Sequence, residues 1–322
     1  MTAYGYRGYG LSLVSELELP EFLPAAVSDH PDIRISFDAR ALDAWEESAD
    51  ADVDFIPARR GGYLLRVPEV AVYHVSGGCD IRIAVAPGAD PGLVRLFTIG
   101  SAMGMALHQR GILVLHGATV VRGDRARIIA GDSGAGKSTL AARLGRAGCA
   151  VLGDDTMALW NAPEGGAGKW LWQGSRVFKL WQDSITAMGL GVEGLARLGN
   201  RTDKYYMPNP DPGADMMARA DAAAHTGVEL AEILVLEAAD GPLRIEPLDG
   251  IRALQAVAVN TYRPEYVTLL GRDADHFRQC GELARDVPVG RLIRPWGLES
   301  IEETLELVLS RWDGAHVVQG AR

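Results

Sequence analysis

The sequence predicts an α/β protein: a β-rich module at the N-terminus, then an α/β domain with a mixed sheet arranged around a glycine-rich loop. Three observations lead there. Residues 1–88 hold short, partly alternating apolar runs (YGYRGYGLSLVSEL, DIRISFD, GGYLLRV, AVYHVSG, DIRIAVA) broken by Pro, Gly and Asp, as strands and turns require. RARIIA, GDSGAGKST and LAARLGRAG follow one another around Gly131–Thr139 and read as strand, loop and helix. Beyond them, the strand-like runs ELAEILVLEA, PLRIEPL and VGRLIRP are interleaved with segments of helical spacing.

Bulk properties bound the function classes. The 322 residues suffice for two cores, and 48% hydrophobic residues with a mean hydropathy of +0.02 describe an ordinary globular chain. No apolar run is long enough to span a bilayer and the first residues do not form a signal peptide, so a cytoplasmic location without a membrane partner is expected. A net charge of −10 without a basic cluster argues against nucleic acid. Cys79, Cys149 and Cys280 are far apart and form no CxxC pair. The 32 basic residues include only four lysines, Lys137, Lys169, Lys179 and Lys204. In a chain that uses Arg for nearly every cation, a Lys is a weak sign that an ammonium is wanted. All four lie between 137 and 204; Lys169, in the APEGGAGKW loop, reads as the incidental one.

The elements follow in order. Residues 1–88 form the β-rich module. Residues 89–111 read as a bridging helix, with Asp90-Pro91 as cap and first turn and Gly111 as stop. The α/β domain, 112–322, opens with ILVLHGATVV, a turn at Arg122–Asp124 and RARIIAGD. A helix runs from Lys137 to about Ala147, and CAVLGDD is a buried strand closing on Asp154 and Asp155. From 160 to 228 the chain reads as irregular, with ADMMARADAAAHTG showing no clear pattern. The strands ELAEILVLEA and PLRIEPL are expected to form a plain hairpin about Asp240-Gly241, which makes Glu237 a turn-proximal acid rather than a metal ligand. Helices over 249–262, 273–286 and 297–312 and a strand at 289–295 complete the domain.

The chemistry concentrates at the loop. Gly131, four residues, Gly136, Lys137, Ser138 is the P-loop pattern: glycines turn successive N–H groups around a phosphate, Lys137 reaches the β/γ-phosphates, and the Ser138 hydroxyl sits on Mg²⁺. Gly131, Asp132, Ser133, Gly134, Ala135, Gly136, Lys137, Ser138 and Thr139 are thus the nucleotide-binding candidates. Transfer of a phosphoryl group also needs a metal-side carboxylate and a proton acceptor. Asp154 and Asp155, one helix after the loop, are the candidate pair. His116 ends ILVLHG just before the loop strand, and Lys179 and Lys204 are candidate phosphate or substrate contacts.

The order LHGATVV, GDSGAGKST, helix, CAVLGDD resembles the catalytic domain of the HPr kinase/phosphorylase family. With VFKLWQDSITAMGL and the N-terminal YGLSLVSELELPE, it is more similar still to HPr kinase-like proteins encoded with lasso-peptide genes. The resemblance implies an HPr kinase C-terminal-like fold. It implies ATP (or another nucleoside triphosphate) and Mg²⁺ as cofactors, and a peptide or protein carrying a serine as partner, in the closer group the C-terminal serine of a precursor peptide. It leaves room for a homo-oligomer. It casts Asp154 as general base, His116 as its acid/base neighbour, and Ser138 with Asp155 as metal-side ligands. The EIRGLG-type signature of HPr kinases is absent, so HPr itself and phosphorolysis are not implied. A serine kinase is the expectation. The alternatives are a bifunctional HPr-type kinase/phosphorylase, a non-catalytic nucleotide switch and a small-molecule kinase.

Overall fold

The computed structural model describes residues 2–48, 55–58, 61–163, 168–197, 203–208, 213–297 and 299–318. Among the described residues it is a mixed α/β protein with three sheets. The first has eight strands: β1 (Tyr4–Gly8), β2 (Leu11–Ser15), β3 (Leu23–Ala25), β4 (Ile33–Phe37), β5 (Phe55–Pro57), β6 (Tyr63–Val67), β7 (Ala71–Ser76) and β8 (Asp80–Val85), in the order β3-β1-β2-β4-β8-β7-β6-β5. A helix that the alternation did not announce, α1 (Arg40–Ser48), packs Ala41 and Trp45 against Leu64 and Val72.

The segment 89–111 is helical but not uniform. Asp90 caps α2 (Pro91–Phe97) by accepting from the Gly92 N–H at 2.7 Å. A π-helical turn, Thr98–Ala102, separates it from α3 (Met103–Gln109). Ile99 and Ala102 of the turn and Met103, Met105, Ala106 and Leu107 of α3 are buried in one cluster with Tyr73 and Ile81 of the first sheet, Val114 and Ala158 of the second, and Tyr262 from the turn between Val259 and Pro264. This helix is therefore a shared wall rather than a spacer.

The second sheet comprises β9 (Leu113–Arg122), β10 (Arg125–Gly131), β11 (Ala150–Asn161), β12 (Lys169–Leu171), β16 (Val228–Ala238), β17 (Arg244–Leu248) and β18 (Val289–Arg294). Pairings β10–β9, β9–β11, β11–β12, β12–β16 and β16–β10 close a ring, and β18 and β17 extend from β16. On one face lie α6 (Gly213–Thr226), α7 (Gly250–Val259) and α9 (Asp273–Asp286); α8 (Pro264–Leu269) joins α7 to α9. On the other lie α4 (Lys137–Arg146) and α10 (Ile301–Val318). A small third sheet, β13 (Val177–Trp181), β15 (Lys204–Pro208) and β14 (Ala196–Arg197), with α5 (Gln182–Ala187), covers α4.

Four sequence expectations change. Strand β11 does not stop at the acids but runs six residues past Asp155. The expected hairpin is not formed: β17 pairs antiparallel with β18, which inserts beside β16, and Glu237 meets Arg291 at 3.4 Å. The stretch without clear pattern is α6. Lys169 is not on a loop; it is a buried residue of β12, donating to Asn161 Oδ1 at 2.7 Å.

The C-terminal helix is pinned through one buried carboxylate. Glu232 Oε2 accepts from the Trp312 indole at 3.0 Å, and Oε1 accepts from Arg311 at 2.6 and 2.8 Å. The Arg127 guanidinium stands 4.9 Å from the Trp312 ring. Trp312→Ala is expected to cost about 3–5 kcal/mol through lost volume and an unpaired Glu232 oxygen, read by chemical denaturation. Among the described residues no helix is long and apolar enough to cross a membrane.

Candidate active site

The glycine-rich loop leaves β10 where the backbone needs positive φ: Gly131 at +132° and Gly136 at +100°. A Cβ on Gly131 would lie 2.3 Å from Leu236 O, so no larger residue fits there. The Gly131 N–H donates to Asn260 Oδ1 at 2.6 Å, and Asn260 O accepts from His116 N at 2.7 Å. One residue at the end of α7 thus ties the loop to β9. Gly136 caps α4, whose first residue Lys137 is buried and donates Nζ to Gly131 O (2.8 Å) and Asp132 O (2.9 Å). Thr139 Oγ1 donates to Ser184 Oγ at 2.9 Å. Asp132, Ser133 and Gly134 are exposed on the loop's outer turn.

Register places the acid pair. Asp155 is opposite Gly117, and Gly117 is opposite Ala130, so the carboxylates stand level with the start of the loop across one intervening antiparallel strand. Successive residues of a regular strand point to opposite faces. Here Asp155 has φ +79°, which turns both side chains toward Lys179. Asp154 Oδ1 accepts from Ser138 Oγ at 2.9 Å and Oδ2 from Lys179 N at 3.1 Å. Asp155 Oδ2 accepts from Lys179 Nζ at 2.6 Å, and its Oδ1 lies 3.4 Å from His116 Nδ1, which donates to Asp155 O at 3.0 Å. The sequence reading grouped Ser138 with Asp155. The structure groups Ser138 with Asp154 because the left-handed turn aims Asp155 away from α4.

The charges sort accordingly. Burial pushes the Asp154 carboxyl up to about 6, with the neighbouring Asp155 charge adding to the rise. Burial also acts on Asp155, but the Lys179 ammonium and His116 overcome it and hold Asp155 below the usual carboxylate range. Burial pulls Lys179 down, and Asp155 more than reverses this. Burial lowers His116 against the pull of Asp155, and its Nδ1–H is committed to the Asp155 carbonyl. Lys137 is lowered by burial against the pull of Asp154 and Asp155.

Two cavities meet over these groups. One, about 340 Å³, is lined by the loop, Asp154, Asp155, Lys179, Trp181, Lys204 and Arg294. The Lys204 ammonium stands 4.6 Å from the Trp181 ring. The other, about 480 Å³, shares His116, Ser133, Asp155 and Lys179, and its far wall is Phe97, Gly100 and Ser101 of the π-helical region with Asn260, Tyr262 and Arg263. The candidate residues thus line the two cavities, Lys179 and Lys204 reaching them from the third sheet. Asn260, Tyr262, Arg263 and Gly100 were missed by sequence reasoning; NTYRP after a helical run was the available hint, a turn before proline.

Ser138 Oγ and Asp154 are hard oxygen donors beside the loop. Such a pair suits Mg²⁺, which takes one or two protein oxygens and completes its shell with phosphate and water. Among the described residues no group of three or more His, Cys, Asp or Glu is placed to hold a metal by itself.

No family model matches the chain, and no curated protein matches it. Among solved structures, the HPr(Ser) kinase/phosphatase from Coxiella burnetii aligns over 63% of this chain and 96% of its own, at 13% identity and a TM-score of 0.30. A likeness that loose carries no weight for fold or activity. The site stands on its own geometry.

Because Asp154 binds its proton more tightly folded than unfolded, its contribution to stability is full below about pH 4 and is lost as pH rises through about 6. Asp154→Asn removes that loss. In EDTA, the variant is expected to gain on the wild type by on the order of 2–3 kcal/mol between pH 4 and pH 7, measured by urea denaturation. A stability difference independent of pH contradicts the assignment.

Proposed function

We propose that this chain is a nucleoside-triphosphate-dependent phosphotransferase whose acceptor is a serine-type hydroxyl of a peptide or protein. The observation that carries the reading is the convergence of the glycine-rich loop, Lys137, Ser138 and the split acid pair on one cavity, with a second cavity opening beside His116 and Asp155.

The loop amides and the Lys137 ammonium hold the phosphate chain; Lys137 exchanges its two loop carbonyls for phosphate oxygens. Ser138 and Asp154 are the residues that would hold Mg²⁺, which supplies charge neutralisation at the transferred group. The acceptor enters the larger cavity and presents its hydroxyl to Asp155. Lys179 keeps Asp155 ionised, and His116 fixes it by binding its carbonyl and flanking its Oδ1. Asp155 then takes the hydroxyl proton late in a loose transfer, where a weak base suffices. This exchanges the roles expected of Asp154 and Asp155 from the resemblance, since Ser138 is bonded to Asp154. The finer acceptor class rests on the sequence resemblance alone. A precursor peptide ending in serine is the first substrate to try.

Mass spectrometry of such a peptide incubated with the protein, ATP and Mg²⁺ is expected to show one added phosphoryl group. Lys137→Ala should lower kcat/KM by at least about 100-fold. ATP binding with no transfer to any hydroxyl acceptor contradicts the reading in favour of a nucleotide switch. Removal of the phosphoryl group by added inorganic phosphate favours a bifunctional kinase/phosphorylase instead.

A further inference from the structure

Among the described residues four cations line the smaller cavity, and three are engaged: Lys137 by loop carbonyls, Lys179 by Asp155, Lys204 by the face of Trp181. Arg294 is different. It ends β18, level with Ala238 of β16, two residues beyond the rung that joins Leu236 to Gly131. The loop is therefore flanked, two strands away on one side by Asp154 and Asp155 and two strands away on the other by Arg294. The residue is only 5% exposed. Among the described residues, its side-chain hydrogen bonds both leave from Nη1, to the neutral acceptors Gly297 O (2.8 Å) and Ser300 Oγ (3.2 Å). Nε is buried with no partner among the described residues. Nη2 faces the loop: a Cβ on Gly136 would sit 3.2 Å from it.

A guanidinium stays protonated, and burying one without a counter-charge is costly. Burial alone acts on Arg294, pressing its pKa down with no carboxylate to oppose it. Such a charge persists where an anion completes the site. We propose that Arg294 is a second cationic holder of the anionic ligand, binding an oxygen of the oligophosphate chain at the start of α4 opposite Asp154. This rests on the phosphate reading of the loop. The guanidinium fork suits it, since one edge is fixed by Gly297 and Ser300 while Nη2 is presented to the loop. The competing role is a clamp that only shapes the turn into α10.

Calorimetric titration with inorganic tripolyphosphate and with MgATP separates the two, using wild type, Arg294→Gln and Arg294→Lys. Arg294→Gln is expected to weaken both ligands by on the order of tenfold to a hundredfold, and Arg294→Lys to recover part of the loss. Thermal melting of each unliganded variant reads the fold separately. Wild-type affinities in Arg294→Gln, with or without a lowered melting temperature, overturn the inference and leave the phosphate site standing. If the wild type binds neither ligand, the phosphate site itself falls and the inference with it.

Discussion

The left-handed backbone at Asp155 is the constraint on which the site depends. An L-residue rarely adopts φ +79°, and Asp tolerates it better than most because its short side chain can bond locally. In a flat strand one of the two carboxylates would be buried in the sheet face away from the loop. The turn instead delivers both to one cavity and separates their partners: Ser138 for one, Lys179 and His116 for the other. Two adjacent buried carboxylates repel, and this separation lets one remain ionised while the other is free to bind a proton or a cation.

Around that turn, the surrounding elements act as supports. Asn260 joins the loop to β9 by two short hydrogen bonds, so the spacing between His116 and Gly131 is held from outside the sheet. The N-terminal sheet contributes through its packing. Tyr9 donates its N–H to Gln173 O at 2.7 Å and accepts from the Trp160 indole at 2.9 Å, which braces the far part of β11. At the π-helical turn Thr98–Ala102, a Cβ on Gly100 would make ordinary contacts with Tyr262 at 3.4 Å and Lys179 at 3.7 Å, which places this turn directly against the site.

What was legible in the sequence is what local spacing dictates. GDSGAGKST carries its geometry in its glycines, and His116, Asp154 and Asp155 lie within one run of hairpin, loop, helix and strand (β9, β10, loop, α4, β11), where order in sequence is nearly order in space. The scarcity of lysine drew attention to Lys179, but not to its partner, because a salt bridge across β13 and β11 depends on tertiary placement. Arg294 and Asn260 were illegible for the same reason. Each reaches the loop through sheet register or a helix end more than 100 residues away, and a lone Arg in an Arg-rich chain carries no signal. The failed hairpin has a related cause: β17 and β18 pair across three intervening helices, α7, α8 and α9, a non-local closure that alternation in sequence does not announce.

The division of labour between the two carboxylates is tested most directly by initial rates of serine-peptide phosphorylation against Mg²⁺ concentration, comparing Asp154→Asn with Asp155→Asn. The expected result is that Asp154→Asn raises the Mg²⁺ needed for half-maximal rate, whereas Asp155→Asn lowers kcat with the Mg²⁺ dependence unchanged. The reverse pattern, with the metal requirement moving in Asp155→Asn, would contradict it.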